Sequence, residues 1–268
     1  HVSNIQYSYD LPMNLYAKDT DGKIIQSDVM SLMSKMRSAV IGEEAEASVS
    51  SSMNNMMSSS GMSSTQSSFV VWQEMLPGEG DELISPLLKQ QYDVLYGSWP
   101  KSYDEAVLIV DENNEVSDLV LYALGLKSAN DMMSAMTQYM TGKQPEQTKV
   151  ESWSYADICK QSFRLILPAD CYQLDPVTKQ YKDISTDELG LKTLYNNAME
   201  LKIVGVVRQS DDAVSGMMTG AIGYTNALTQ KVVEETQAKD FVKKQLDDKT
   251  TDVFTGLPFK ESNEALTD

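Results

Sequence analysis

The stretch Leu201-Lys202-Ile203-Val204-Gly205-Val206-Val207 decides how the rest of this sequence is interpreted. Every residue from 203 to 207 is β-branched except Gly205. A strand that exposes one face alternates apolar and polar residues, whereas a continuous apolar run is typical of a strand buried on both faces. The stretch therefore predicts a central strand of a sheet, with other parts of the chain covering it.

Further strands and helices are predicted on both sides of this stretch. Apolar residues recur at strand spacing in several short segments, which are residues 4–9, 13–17, 23–26, 69–72, 92–96, 105–110 and 163–167. Helices are predicted where a capping residue precedes apolar residues at helical spacing, namely after Ser27, Ser85, Ser128, Ser154, Ser185 and Thr225. A further helix is predicted where Val116, Leu119, Val120 and Ala123 fall on one face before Gly125. Because hairpins interrupt the βαβ units, the pattern predicts an α+β fold rather than a continuous parallel series.

Charge and histidine content exclude several classes of function. The chain of 268 residues carries a net charge of −17, which repels a nucleic-acid backbone, so no nucleic-acid partner is expected. An anionic bilayer repels it as well unless a covalent tether holds the domain there. The single histidine is His1, and catalytic triads, Cys-His pairs and His-ligated zinc sites all need an interior imidazole. The sequence predicts no cofactor and no metal site.

Two questions of local chemistry stay open at this level. Cys159 and Cys171 either form a disulfide or lie as two buried small apolar side chains, since spacing alone does not fix the geometry. Asp19 and Asp21 favour a turn that ends at Gly22 over a calcium loop, because no closing glutamate follows. Residues 111–122 fail the EF-hand pattern at the sixth and twelfth positions.

The segment from residue 43 to 68 has a different composition from its surroundings. It is rich in serine, which predicts a loop or linker, and it carries four methionines, Met53, Met56, Met57 and Met62. Thioethers bind Cu(I), but no histidine or cysteine accompanies them here. Methionine also forms an adaptable apolar contact surface, so these four residues are the candidate contact surface for a partner or an apolar ligand.

Several short motifs follow one another in a recognisable order. They are Leu95-Tyr96-Gly97-Ser98-Trp99-Pro100, Glu105-Ala106-Val107-Leu108-Ile109-Val110, Lys202-Ile203-Val204-Gly205-Val206-Val207-Arg208 and Gly220-Ala221-Ile222-Gly223-Tyr224-Thr225. This order resembles the extracytoplasmic domain of MacB/FtsX-type ABC transporter permeases, most clearly over residues 90–236. In that family the strand of the second motif reads EVVL, and here Ala106 occupies its second position.

The resemblance implies an architecture and a location. It implies a two-lobed ectodomain, with a membrane-proximal porter-like βαβ lobe of residues 1–90 and 210–268 and an inserted distal lobe of mixed α/β structure at 91–209. The domain would lie at the extracellular face of a Gram-positive cell membrane, between transmembrane helices of the same permease. Its expected partners are those helices, a cytoplasmic ATPase domain or subunit and an adaptor-like protein, in a permease that is dimeric at full length.

The resemblance also implies a mechanical rather than a catalytic role. ATP-driven motion would enter at both chain ends and shift the lobes as rigid bodies during export or envelope signalling, for substrates of the antimicrobial peptide, macrolide or lipoprotein type. The glycine-containing segment 216–223 and the 43–68 loop would take up strain. Gly97, Trp99, Pro100 and Gly205 are the candidate lobe-boundary residues.

Two other functions remain alternatives. An extracellular solute-binding lipoprotein predicts a large apolar pocket between lobes. A carboxylate-dependent hydrolase needs two acids about 5 Å apart in a cleft, one of them with a raised pKa, and adjacent acids are plentiful here: Asp187-Glu188, Asp211-Asp212 and Asp247-Asp248. Trp72, Trp99 and Trp153 could line a carbohydrate platform, but separated tryptophans favour roles as core or junction anchors.

Overall fold

A computed structural model describes residues 11–259 of this chain, except 12, 43–69, 129, 133, 135–150, 179 and 214–215. The four methionines of the predicted contact surface and the predicted strand at 4–9 lie outside the described residues. Within the part that is described, no helix has both the length and the apolar character needed to cross a bilayer.

Ten strands form two sheets in the described residues. The strands are β1 (Leu15–Lys18), β2 (Ile24–Gln26), β3 (Trp72–Glu74), β4 (Tyr92–Gly97), β5 (Glu105–Val110), β6 (Ser162–Leu165), β7 (Tyr172–Leu174), β8 (Tyr181–Asp183), β9 (Met199–Gln209) and β10 (Ile222–Tyr224). Eight of them form a mixed sheet in the order β2-β1-β6-β9-β5-β10-β3, with β4 also paired to β9. β7 and β8 form a separate antiparallel pair.

β9 is the central strand that the sequence predicted. It pairs antiparallel with β6 along its first half and with β4 along its second half, while β5 runs parallel to it on the other side. The register of the β5–β9 pair shifts by one residue, because Ala106 faces Ile203 whereas Val107 faces Gly205. This bulge leaves Val204 unmatched, so Ile203 and Val206 reach the same core although three positions separate them.

Both faces of the central strands are covered. Leu108 of β5 belongs to the larger core, whereas Val107 next to it belongs to a second core with Met75, Leu88 and Val207. This alternation between two cores is the reason that β5 and β9 read as continuous apolar runs. The larger core is covered by helices whose buried residues include Leu32, Leu121, Leu228 and Val232.

The helices lie mainly where capping residues predicted them. They are α1 (Val29–Ile41), α2 (Pro86–Gln91), α3 (Asp118–Ala123), α4 (Tyr155–Ile158), α5 (Glu188–Asn197), α6 (Asn226–Gln237) and α7 (Asp240–Asp247), and a 3-10 turn spans Pro168–Cys171. Ser85 and Ser154 accept hydrogen bonds from the backbone N–H groups of their helices, which confirms these two caps. Ser117 caps α3 in the same way, although the sequence predicted this helix only from its apolar face. Thr225 occupies the cap position of α6, but its buried hydroxyl has no hydrogen-bond partner.

Two predicted caps are wrong. Asp28 rather than Ser27 caps α1, by accepting from the N–H of Ser31 at 2.7 Å. The Ser27 hydroxyl instead accepts from the indole nitrogen of Trp72 at 2.9 Å, a contact between residues 45 positions apart. Asp187 rather than Ser185 caps α5. In both cases two capping residues within three positions compete locally, and the one that remains makes another contact, which for Ser185 is a hydrogen bond to the carboxylate of Asp183.

The turn at residues 19–22 forms as predicted. The carboxylate of Asp19 accepts hydrogen bonds from the backbone N–H groups of Asp21 and Lys23, at 3.0 and 2.9 Å. Gly22 follows with a φ of +78°, which glycine adopts without steric cost. Cys159 and Cys171 are both free thiols, so the disulfide that spacing left open does not form in this structure.

The mixed sheet with its covering helices confirms the predicted α+β class. The two-lobed arrangement is not confirmed. β1, β2, β3 and β10 come from the ranges assigned to the porter-like lobe, and they share one sheet with β4, β5, β6 and β9 of the predicted distal lobe. The larger core also draws on both ranges, since it contains Leu15 and Val29 together with Leu108 and Leu201.

Candidate functional site

A cleft of about 700 Å³ opens where β5 and β9 end. Because these neighbouring strands are parallel, Asp111 after β5 and Asp211 after β9 reach the same edge of the sheet. β10 runs antiparallel to β5, so the residues that lead into β10 form another wall of the cleft. A crevice outside the carboxyl ends of parallel strands is a common place for ligands to bind.

The rim of the cleft is acidic and part of its wall is apolar. Four carboxylates line it, those of Asp111, Glu112, Glu115 and Asp211, and no lysine or arginine is among the described lining residues. The apolar lining comes from the side chains of Val70, Ile109, Val110, Val116, Val120, Ala213, Met218 and Ala221. Carboxylates of one sign in a concave surface raise the local concentration of cations, so the arrangement favours a cationic ligand with an apolar part. We call this feature the acidic cleft.

The side chain of Asp111 stabilises the loop after β5 through hydrogen bonds. Its carboxylate accepts from the backbone N–H groups of Asn113 and Glu115, at 2.9 and 2.8 Å. Asn114 has a φ of +62°, a left-handed conformation that asparagine tolerates. Its side-chain oxygen accepts from the guanidinium of Arg208 at 3.0 Å, which ties this loop to the end of β9.

The opposite wall is held by two side chains from elsewhere in the chain. The buried hydroxyl of Tyr92 accepts from the backbone N–H of Met218 at 2.9 Å. The side-chain oxygen of Gln73 accepts from the N–H groups of Thr219 and Gly220, at 2.7 and 2.9 Å. The segment 216–223, which its glycines predicted to be flexible, is thus held at three consecutive amides before it enters β10.

A second concave surface of about 490 Å³ lies beside the predicted lobe-boundary residues. It is lined by the side chains of Glu82, Leu83, Ile84, Lys89, Ser98, Trp99, Pro100 and Lys101. Trp99 also packs against the second core, which contains Val107 and Val207. Trp99 therefore packs the segment after β4 against this core and also lines the second concave surface. Its assignment to a lobe boundary stays a prediction.

Gly97 and Gly205 are brought directly together. They are partners in the β4–β9 pairing, and the N–H of Ser98 donates to the carbonyl of Val204 at 3.1 Å. A Cβ atom on Gly97 would lie 2.1 Å from that carbonyl oxygen, and one on Gly205 would lie 2.3 Å from the Ser98 carbonyl oxygen. These glycines permit two backbones to touch, a requirement that sequence inspection did not identify.

Sequence inspection also missed the acidic cleft. In the sequence pattern, Asp111 and Glu115 belong to a segment that fails the EF-hand pattern, and Asp211 is one of many acids that adjoin another acid. The available signal was an acid soon after each of two apolar strands, Asp111 directly after β5 and Asp211 two residues after β9, but it has meaning only if the strands are parallel neighbours. The described residues hold no group of three or more histidine, cysteine or acidic side chains arranged for a metal ion.

All four motifs that carry the permease resemblance lie side by side. They fall on β4, β5, β9 and β10, and these strands are hydrogen-bonded to one another in one sheet. Comparison of the chain with family models, with curated proteins and with solved structures finds no match.

Proposed function

We propose that this chain is the extracellular domain of an ABC transporter permease. In this proposal it transmits motion driven by ATP hydrolysis in a cytoplasmic ATPase, and it contacts substrate or partner proteins during export or envelope signalling. It contributes no catalytic residues of its own, and it lies at the outer face of the cell membrane between helices of the same permease.

The adjacency of the four motifs is the observation that carries this proposal. Residues 95–100 and 105–110 are separated by about 90 residues from 202–208 and 220–225, yet their strands alternate in one sheet in the order β4, β9, β5 and β10. If the motif order were a coincidence of common residues, nothing would require the segments to be neighbours. Because the four segments are neighbours in one sheet, they form a single structural unit, and this supports the resemblance to the permease family.

The acidic cleft supplies a surface for the contact that the proposal requires. It combines four carboxylates with apolar side chains at the edge of a sheet whose two faces are both covered. A rigid sheet carries a binding edge as one body, so a displacement of the sheet would displace the cleft with it. Its charge suits cationic substrates, such as those of the antimicrobial peptide type.

Protease treatment of intact cells that produce the native protein tests the location. An antibody against this chain should detect it in the membrane fraction, and external protease should remove that signal. Purification in mild detergent should recover a nucleotide-binding ATPase with it. Recovery of the chain from the cytoplasm, protected from protease in intact cells, would contradict the proposal.

A solute-binding lipoprotein is the second candidate, and the size of the acidic cleft favours it. The same fractionation separates the two functions. A lipoprotein incorporates labelled fatty acid and is recovered without an ATPase, whereas the permease domain is recovered with one. Hydrolysis of a glycan or peptide by the purified chain alone would favour the carboxylate hydrolase over both.

A further inference from the structure

The small sheet and the last helix form a cluster of aromatic rings. Tyr172 of β7, Tyr181 of β8, Phe241 of α7 and Phe254 of the following turn contact one another, with ring centroids between 4.7 and 6.4 Å apart. Lys239, which precedes α7, also forms an ion pair with Asp170 of the 3-10 turn. The hairpin, the helix and the turn therefore pack as one surface.

This cluster leaves large apolar side chains exposed at its edges. Six described large apolar side chains are at least 45% exposed, and all six lie between residues 174 and 259. Leu174 and Val177 belong to the β7–β8 hairpin, and Leu257 and Phe259 belong to the turn after α7; their exposed fractions are 45, 87, 63 and 50%. Both segments carry rings of the same cluster, and exposed apolar groups that adjoin one packed cluster are typical of an interaction site. We call these four residues with the four rings the aromatic patch.

The charge near the aromatic patch differs from that of the whole molecule. Residues 239–259 contain four lysines and four aspartates and are neutral, whereas the chain carries −17. Lys243, Lys244 and Lys249 are exposed, and within the described part of the chain none of them is ion-paired. The aromatic patch is therefore a part of the surface at which repulsion between this acidic chain and an anionic bilayer is small.

We propose that the aromatic patch docks on the surface of a phospholipid bilayer. Val177, Leu257 and Phe259 enter the boundary between headgroups and acyl chains, and the three lysines meet the lipid phosphates. Tyrosine and phenylalanine rings flanked by lysine and exposed leucine are the composition of surfaces at a membrane interface.

The inference goes beyond the proposed function and does not rest on the acidic cleft. An extracellular domain of a permease can be held near the bilayer by its flanking helices without touching lipid. Absence of lipid binding would therefore leave the permease proposal in place, and a cytoplasmic location would leave the lipid measurement interpretable.

Sedimentation with vesicles of equal phosphatidylglycerol and phosphatidylcholine tests the docking surface. The native chain should bind, and Leu257→Asp with Phe259→Asp should lower the partition coefficient at least about tenfold, because each apolar side chain that leaves water contributes more than a kcal/mol. The matched control is Met30→Asp with Leu87→Asp, two apolar residues each 39% exposed and outside the patch. Thermal unfolding checks that both double variants remain folded.

Two further measurements separate lipid from other occupants. Lys243→Gln, Lys244→Gln and Lys249→Gln together should weaken vesicle binding and reduce its dependence on salt. A Phe259→Trp variant should show a blue-shifted fluorescence when vesicles are added. The proposal is overturned if the native chain does not bind vesicles, or if the control variant loses as much binding as the patch variant. It is also overturned, in favour of a second copy, if analytical ultracentrifugation shows a dimer that Leu257→Asp with Phe259→Asp abolishes.

Discussion

Gly97 shows how a single missing side chain permits the end of β4 to pair closely with β9, next to the bulge at Val204. It has a φ of +72°, and a Cβ atom there would overlap the carbonyl oxygen of Val204. Gly256 has a similar φ of +68°, but nothing lies within 4 Å of its missing Cβ. A side chain at Gly256 would therefore cause backbone strain alone, whereas a side chain at Gly97 would cause the same strain and a steric overlap as well.

Gly97→Ala should destabilise the protein more than Gly256→Ala does. The second substitution introduces only left-handed strain, about 1 kcal/mol, whereas the first adds an overlap that should bring the loss to about 3 kcal/mol or more. Urea unfolding followed by tryptophan fluorescence measures both free energies of unfolding. Equal losses in the two variants would show that the strands do not approach as closely as described.

Tyr224 should make the protein unstable at alkaline pH. Burial, and next the negative charge of Glu74, raise the pKa of its phenol from 10.0 to about 12. The folded state thus favours the neutral phenol, so this stabilisation is complete below pH 10 and is lost as the pH rises from 10 to 12. Two pH units correspond to roughly 2–3 kcal/mol.

The measurement compares the free energy of unfolding of the native chain and of Tyr224→Phe between pH 9 and 12. Other tyrosines titrate in both proteins, so the difference between the two curves isolates Tyr224. We expect the native chain to lose about 2 kcal/mol relative to the variant across this range. Parallel curves would mean that the Tyr224 phenol is not buried as the structure has it.

At the scale of elements, Gln73 joins the edge strand β3 to the wall of the acidic cleft. Its oxygen accepts from the amides of Thr219 and Gly220, so Gln73→Leu leaves both without that partner. Each hydrogen bond contributes about 1 kcal/mol, and we expect hydrogen exchange at these two amides to accelerate about tenfold or more. Gln73→Glu is the control, because it keeps an acceptor oxygen at the same position. Unchanged exchange in Gln73→Leu would contradict this role.

At the scale of the whole molecule, the acidic cleft should bind cationic amphipathic peptides. Glu112→Gln with Asp211→Asn removes two charges from the cleft, and the affinity for such a peptide should fall about tenfold. Glu79→Gln with Asp81→Asn makes the same change of charge on an exposed loop outside the cleft lining. Isothermal titration calorimetry compares the two pairs, and an equal effect of both would show that only net charge matters.

The methionine-rich segment gives a second prediction at this scale. Replacing Met53, Met56, Met57 and Met62 by serine should leave the circular dichroism spectrum and the melting temperature unchanged, and weaken engagement of a partner or substrate. Transport or resistance conferred by the full-length protein measures the engagement. Native levels of both in the replaced protein would exclude a role for these methionines.

Local patterns predicted the elements well where a few adjacent residues decide the outcome. β5 has the bounds that its apolar run indicated, and α2 begins with Ser85 and Pro86 as predicted. The cap of α1 was missed because Ser27 and Asp28 are both good capping residues, and a tryptophan 45 positions from Ser27 decides between them. The candidate site was missed for the same reason on a larger scale, since its acids come from loops about 100 residues apart.

By itself the sequence determined the α+β class, the buried central strand β9, the positions of most helices and turns, and the acidic character of the surface. These properties follow from residue periodicity, capping and composition, which act within a few residues or over the whole chain. Only the tertiary structure decided that β5 and β9 are parallel neighbours, that Gly97 meets Gly205, and that Asp111 and Asp211 share a cleft. The physical reason is that backbone hydrogen bonds in a sheet are the same for any pair of strands, so the pairing is set by which distant apolar faces bury each other best.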